Sequence, residues 1–205
     1  MKKVLFAFAA AIALTVLSAP VKADILVFTA ALSGANEVPA VNSPGTGNAV
    51  VTVDTVANTM TVSATFSGLL PTTAGGATSG TTASHIHCCT PPGANAGVAT
   101  TTPSFPGFPL GVTSGTFLNT FNLTLASTYN PAFVTLQGGT VNGARIAFLA
   151  GLQGGQTYFN IHTNAFGGGE IRGQLQPVPE PATMILLGTG LAAVAGRKLR
   201  RRRSE

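Results

Sequence analysis

The chain has 205 residues and a formal net charge of +5, with 8% charged and 45% hydrophobic residues. Its basic residues cluster at the two ends, and residues 24–175 hold only two of them against four acidic residues, a net charge of −2. A nucleic-acid partner requires a basic face, so this composition excludes one for the central part of the chain.

The N-terminus has the three parts of a secretory signal peptide. Two lysines at positions 2 and 3 precede an apolar run, Val4–Leu17, and small residues precede an expected cut after Ala23. This order is typical of signal peptides; a buried helix is the alternative, which the position behind two N-terminal lysines disfavours. We therefore predict a signal peptide over residues 1–23 and Asp24 as the first residue of an exported domain, residues 24–176.

In chain order, most of the exported part has the patterns of β-strands. We predict strands at Ile25–Leu32, Asn48–Asp54, Thr59–Phe66, Thr82–His87 and Thr116–Leu125, and a hairpin of Tyr158–Thr163 and Glu170–Leu175. Apolar and polar residues alternate most regularly in Thr59–Phe66. The near-continuous apolar start of Ile25–Leu32 predicts burial on both faces.

Two segments differ from this pattern. Asn142–Gln153 has apolar residues at helical spacing and is followed by two glycines, which predicts one short helix. Cys88–Gly115 is rich in Pro and Gly and contains Phe105 and Phe108; a loop of this length in a compact domain is usually functional or disordered. The predicted fold is all-β, an antiparallel sandwich or barrel with one short helix.

The C-terminus has a second apolar run. Ala182–Gly196 contains no charge and is followed by the basic residues Arg197, Lys198, Arg200, Arg201, Arg202 and Arg203. A helix of this length is about 22 Å long and a bilayer core is roughly 30 Å thick, a mismatch that basic side chains reaching the interface can offset. We predict that residues 177–205 anchor a precursor in the membrane with the basic end in the cytoplasm.

The three histidines form a candidate metal site. A strand places His85 and His87 on one face and Ile86 on the other. His162 lies on the first hairpin strand, on the same face as Tyr158 and Asn160. Three neutral imidazoles around one ion are a known arrangement for zinc or copper. The alternative is that each histidine is a hydrogen-bonded structural residue.

The other reactive side chains have several interpretations. Cys88 and Cys89 are the only cysteines, and in an oxidising compartment they form a strained vicinal bond, free thiols or an intermolecular bridge; either could add to the metal site. Glu170 and Arg172 share a strand face and are expected to be an exposed cross-strand pair that covers the hairpin, with an acid and a base at a site as the alternative. We expect Gly167–Gly169 to supply positive φ for the turn.

Three motifs in order give a family resemblance. LSGANEVPAV at Leu32–Val41, AxHIH at Ala83–His87 and NIHT…GGGEIRGQL at Asn160–Leu175 resemble the CHRD domain, named from chordin. The resemblance implies an extracellular β-rich module; in chordin it belongs to a secreted protein that binds growth factors, and for bacterial members it implies no established activity. The adjacent cysteines and the loop up to Gly115 depart from the simplest family pattern. The histidine face is also similar to copper–zinc superoxide dismutases, but three histidines cannot fill a two-metal site.

The C-terminal segment resembles a PEP-CTERM sorting signal. A PEP tripeptide, an apolar run and a basic end follow one another, and the matching residues are Pro179, Glu180, Pro181, Arg197, Lys198, Arg200 and Arg201. The resemblance implies a Gram-negative bacterium, an exosortase that removes the tail, and delivery to the cell surface or the exopolysaccharide matrix.

These observations lead to three hypotheses of function. The first is a non-enzymatic binding or structural module at the surface, with a matrix polysaccharide or a surface protein as partner, because no catalytic set is recognisable. The second is a mononuclear zinc or copper site at His85, His87 and His162 with a redox or metal-capture role. The third, carbohydrate binding, is disfavoured because Trp is absent and Tyr129 and Tyr158 are the only tyrosines.

Overall fold

The computed structural model describes residues 25–71, 80–178 and 188–190. The signal peptide with its cut between Ala23 and Asp24, the PEP tripeptide and the basic end lie outside the described residues and stay predictions. Within the described residues, no helix is both long enough and apolar enough to cross a membrane.

One antiparallel sheet makes up most of the fold. Its strands are β1 (Ile25–Ser33), β2 (Thr46–Asp54), β3 (Thr59–Ser67), β4 (Thr81–Cys88), β5 (Gly97–Val98), β6 (Gly115–Asn122), β7 (Thr157–Thr163), β8 (Ile171–Gln174) and β9 (Gln176–Pro177). The strand order is β5-β4-β7-β8-β1-β2-β3-β6, and β9 pairs with β1. The sheet curls into a half-barrel, and the predicted all-β antiparallel fold is thereby confirmed.

The core lies on one face of this sheet. In β3 the side chains of Met60, Val62, Ala64 and Phe66 are buried, as the alternation predicts. The prediction that β1 is buried on both faces is wrong, because Thr29 and Ala31 are exposed while Phe28, Ala30 and Leu32 are buried. The apolar start of β1 therefore reflects strand propensity and not a second covering layer.

Two helices follow β6. The predicted helix is confirmed as α2 (Val141–Gln153), which buries Ala144, Phe148 and Leu152 in the core. A further short helix, α1 (Pro131–Leu136), was not predicted. Asn130 accepts a hydrogen bond from the backbone N–H of Ala132 at 3.0 Å and proline occupies the first helical turn, so the turn signal Asn130-Pro131 is a helix N-cap.

The long segment between β4 and β6 is ordered by its aromatic residues. Phe105 is 2% exposed, and its ring centroid lies 5.1 Å from that of Phe121 on β6 and 6.1 Å from that of Phe159 on β7. Phe105 thus joins two strands that are far apart in the sheet order. We refer to residues 89–114 as the covering loop, because its Phe105 packs on both β6 and β7 and, as described below, the loop also contacts the histidines.

Candidate metal centre

The pairing of β4 with β7 brings the three histidines together. His85 pairs across the strands with Asn160, and Ala83 pairs with His162, so His85 and His162 are diagonal neighbours. The ring centroid of His85 lies 4.6 Å from that of His162 and 4.7 Å from that of His87. Ile86 faces the core and is fully buried, as the strand period predicts.

The distances between the histidine nitrogens suit a single ion. One ring nitrogen from each of His85, His87 and His162 lies within 4.8 Å of the other two, and the Nε2 atoms of His85 and His162 are 2.9 Å apart. Tetrahedral zinc with Zn–N distances of 2.0–2.1 Å separates its nitrogen ligands by about 3.3 Å. The side chains therefore need only small rotations to bind one ion.

The covering loop and the hairpin turn place a backbone carbonyl oxygen beside every ring. Each Nδ1 atom lies within hydrogen-bonding distance of a backbone carbonyl oxygen: His85 of Pro103 at 3.1 Å, His87 of Ala96 at 2.8 Å, and His162 of Gly167 at 2.9 Å. Because a carbonyl oxygen only accepts, these contacts favour a hydrogen on each Nδ1 and a lone pair on each Nε2. The 2.9 Å contact between the Nε2 atoms of His85 and His162 then has no donor unless one Nε2 carries the hydrogen or a cation lies near both atoms. Metal-binding histidines are held in the same way by outer-shell partners.

The electrostatics keep these rings uncharged. Burial lowers the pKa of His85 to about 3 and the pKa of His87 to about 4, and the neighbouring imidazoles contribute in the same direction. Burial also lowers the pKa of His162. The buried Nε2 atom of His87 has no hydrogen-bond partner. With hydrogen on each Nδ1, the Nε2 lone pairs of His85 and His162 meet at 2.9 Å, an arrangement that a bound cation would stabilise.

Tyr158 links the histidines to a buried arginine. Its ring stacks on that of His87, with centroids 4.5 Å apart and an interplanar angle of 9°, and the Arg172 guanidinium carbon lies 4.2 Å from its centroid. The Tyr158 hydroxyl accepts a hydrogen bond from the N–H of Ala96 at 3.2 Å. The backbone of Ala96 therefore contacts both Tyr158, through its N–H, and His87, through its carbonyl.

The prediction that Glu170 and Arg172 form an exposed pair is wrong. Both side chains are buried, at 0% and 3% exposure, and each has other partners. Arg172 donates to the Asn95 side chain at 2.9 Å and to the carbonyl of Ala94. It therefore holds the covering loop against the sheet.

Glu170 is a buried structural acceptor. Its carboxylate accepts hydrogen bonds from Ser43 Oγ at 2.5 Å, from the backbone N–H of Leu70 at 2.8 Å and from Thr163 Oγ1 at 2.6 Å. These donors come from three separate segments of the chain, so Glu170 ties the hairpin to the loops that follow β1 and β3.

Sequence reasoning gave no role to Glu37, whose carboxyl lies close to Gly169 and to the Asn160 side chain. This carboxyl is 7% exposed, and its Oε1 atom has no hydrogen-bond partner; neither has Asn160 Oδ1. Burial raises the pKa of Glu37 to about 7, although the nearby Arg172 opposes the shift. An acidic residue inside the LSGANEVPAV motif, in a body with only four acidic residues, was the available signal.

Of the three turn glycines, Gly169 is the one with positive φ, at 128°. A Cβ atom at Gly169 would lie 2.7 Å from both Asn160 Oδ1 and Glu37 Oε1. The expectation of positive φ therefore holds for Gly169 alone, and this residue also makes room for the two unpartnered oxygens.

The cysteines lie on the opposite side of β4 from the histidines. Cys88 and Cys89 form a vicinal disulfide with Cα atoms 3.4 Å apart, and a Cβ atom at Gly151 of α2 would contact the Cys88 sulfur. The two alternatives, free thiols and an intermolecular bridge, do not apply to this structure. Because disulfide sulfurs are not thiolate ligands and face α2, the suggestion that Cys88 or Cys89 joins the metal site is wrong.

Comparison with known proteins gives two matches. Residues 28–175 match the CHRD domain, and residues 177–202 match the PEP-CTERM protein-sorting motif. Both resemblances seen in the sequence are thereby confirmed. A search of curated proteins and a search of solved structures gave no match.

Proposed function

This chain belongs to the CHRD domain family, and we propose that its domain binds one transition-metal ion, zinc or copper, through the Nε2 atoms of His85, His87 and His162. The PEP-CTERM motif marks an exported protein that an exosortase processes from a membrane-anchored precursor in a Gram-negative bacterium. The sequence alone favours a non-enzymatic binding or structural module. The arrangement of the histidines favours metal binding as the property that such a module provides at the cell surface or in the matrix.

One observation carries the proposal: all three Nδ1 atoms face backbone carbonyls while one nitrogen of each ring converges on a common point. A structural histidine needs one partner for its N–H and one for its lone pair, and neither has to be another histidine. Three rings with the same tautomer, oriented toward one another, are instead pre-organised to bind a cation, which lowers the cost of ordering the ligands on binding.

The ligand type indicates the class of metal. Imidazole nitrogen suits zinc and copper, whereas magnesium and calcium prefer carboxylate and carbonyl oxygens. Glu170, the acidic residue of the hairpin, is occupied by three protein donors. Among divalent first-row transition metals, a nitrogen site of this kind binds copper most tightly. Affinity alone does not select the ion in the cell, because the ion that is available there also matters.

Metal analysis of the exported protein tests this proposal. The protein is purified after export without a polyhistidine tag, stripped of metal and reloaded with zinc or copper, and we expect one equivalent to remain bound. His162→Ala removes the most exposed ligand and should weaken binding at least about 100-fold, the upper end of what loss of an outer-shell partner costs.

Asn48→Ala is the control variant, because Asn48 is exposed on β2, away from the histidines. It should bind metal like the unmodified protein. Less than about a tenth of an equivalent of either metal in the unmodified protein would contradict the proposal, as would equal affinity in the His162→Ala variant.

A further inference from the structure

The histidine cluster offers three protein ligands to a metal that commonly takes four. Within the described residues, the group of potential ligands that meets at this point consists of His85, His87 and His162. Structural zinc sites are closed by four protein ligands, whereas reactive sites have three and keep a fourth position for water or substrate. The disulfide and the hydrogen bonds of Glu170 exclude Cys88, Cys89 and Glu170 as the fourth ligand.

Two buried oxygen atoms near Gly169 of the hairpin turn lack a hydrogen-bond donor. Asn160 is the cross-strand partner of His85 and lies two residues before His162, on the same face of β7. Asn160 Oδ1 and Glu37 Oε1 are both unpartnered, on side chains that are 2% and 7% exposed. Each lies 2.7 Å from the place where a Gly169 Cβ would be, so the two atoms are at most twice that distance apart.

A water molecule can supply the hydrogen bonds that these two oxygen atoms lack. Leaving a buried acceptor unpaired costs about 1–3 kcal/mol, and a water molecule needs two or more polar partners to occupy such a place. Arg172, the cross-strand partner of Asn160 on β8, donates to Asn95 and Ala94 instead. Asn160 Nδ2 lies at the same place, 2.6 Å from that Cβ position, but among the described residues neither Glu37 Oε1 nor Asn160 Oδ1 receives a hydrogen bond.

We propose that the metal ion keeps an exchangeable fourth position, occupied by a water molecule that donates hydrogen bonds to Asn160 and Glu37. This inference rests on the proposed metal site. The oxygen of the water binds the metal and its two hydrogens meet the two unpartnered acceptors. The centre is consequently an open site that takes small ligands in place of water, and Asn160 and Glu37 are positioning residues for that ligand.

The primary test uses the unmodified protein loaded with Cu(II). Electron–nuclear double resonance in H₂O and in D₂O detects exchangeable protons on a metal-bound water, and azide serves as the replacing ligand. We expect strongly coupled exchangeable protons that disappear as one azide binds per copper.

Variants test the two acceptors. Asn160→Leu and Glu37→Met each remove one hydrogen bond from the water, so azide should replace the water at about fivefold lower concentration, the order of effect of one net hydrogen bond. Thr157→Val is the matched control, because Thr157 also has an unpartnered buried hydroxyl but lies beside Gly151 of α2, on the other face of β7. It should leave the azide affinity unchanged.

The outcomes that contradict the proposal are distinguishable. One bound copper without exchangeable protons and without an azide response overturns the open position and leaves the metal site intact. Unchanged azide affinity in folded Asn160→Leu and Glu37→Met variants overturns their role. A protein that takes up no metal overturns both this inference and the proposed function.

Discussion

At the scale of single residues, the histidines depend on neutral partners. Their Nδ1 atoms face carbonyl oxygens of Pro103, Ala96 and Gly167 and not carboxylates. A carboxylate partner would favour the charged imidazolium, whereas a carbonyl fixes the tautomer and leaves burial to lower the pKa. The rings are therefore neutral near pH 7.

Gly169 provides a residue-scale prediction. Gly169→Ala would place a side chain at φ 128°, in contact with Asn160 and Glu37, and should lower the free energy of unfolding by at least about 2 kcal/mol. Urea denaturation of the metal-free protein measures this loss. A methyl group added at the neighbouring Gly168 would meet no atom within 4 Å, so Gly168→Ala should cause no loss. Equal stability of the two variants would refute this explanation of the turn.

The side chains were predictable from the sequence to different degrees. The shared face of His85, His87 and His162 followed from the strand period, because alternation depends only on local geometry. The partners of Glu170 and Arg172 did not, since they lie far away in the chain. Glu37 was overlooked for the same reason: its position beside Asn160 depends on the path of a loop.

At the scale of elements, the covering loop connects packing with the site. Phe105 is buried against β6 and β7, and Pro103, two residues earlier, accepts the hydrogen bond of His85. Asn95, nearer the start of the same loop, holds Arg172 and also donates to the carbonyl of Val38 at 2.8 Å. The loop therefore positions the histidines because its aromatic residue is anchored in the core.

Phe105→Ala tests this connection. Loss of a buried phenyl ring should cost about 3–5 kcal/mol of stability, and metal affinity should fall at least about tenfold as the carbonyl partner of His85 moves. Leu110→Ala is the control on the same loop, since Leu110 is 54% exposed. Calorimetric titration with zinc under folding conditions measures the affinity; an unchanged affinity in folded Phe105→Ala protein would show that the loop does not position the ligands.

The strands and α2 were easier to predict from the sequence than the role of the covering loop. Strands and α2 have regular apolar spacing, which the sequence displays directly, whereas α1 has one turn signal and six residues. For the covering loop the sequence predicted only function or disorder, because a segment rich in Pro and Gly has no regular spacing of apolar residues. Backbone carbonyls leave no trace in a sequence, so the groups that fix the histidine tautomers could be found only in the structure.

At the scale of the whole molecule, the sorting motif follows the CHRD domain almost directly in the chain. The CHRD match ends at residue 175 and the sorting motif begins at residue 177. Gln176 and Pro177 form β9, which pairs with β1, and Val178 donates to the carbonyl of Val27 at 2.8 Å. The chain is thus held against the sheet up to Val178, the residue before the PEP tripeptide.

Replacing Pro179, Glu180 and Pro181 together with alanine tests the sorting step. We expect this variant to be exported but to remain uncut and attached to the membrane, because the enzyme no longer recognises it. Intact mass spectrometry of membrane and surface fractions distinguishes the forms, with Asn48→Ala as the control that should be processed. Normal cleavage of the triple variant would contradict the assignment, and the same spectra show whether mature protein begins at Asp24.

The central claim is that three Nε2 atoms bind one ion, and anomalous X-ray diffraction from crystals of the zinc-loaded protein tests it most directly. We predict one anomalous peak at about 2.0–2.1 Å from the Nε2 atoms of His85, His87 and His162, with each Nδ1 still bonded to its carbonyl. A peak elsewhere, or zinc bound through Nδ1, would contradict the claim.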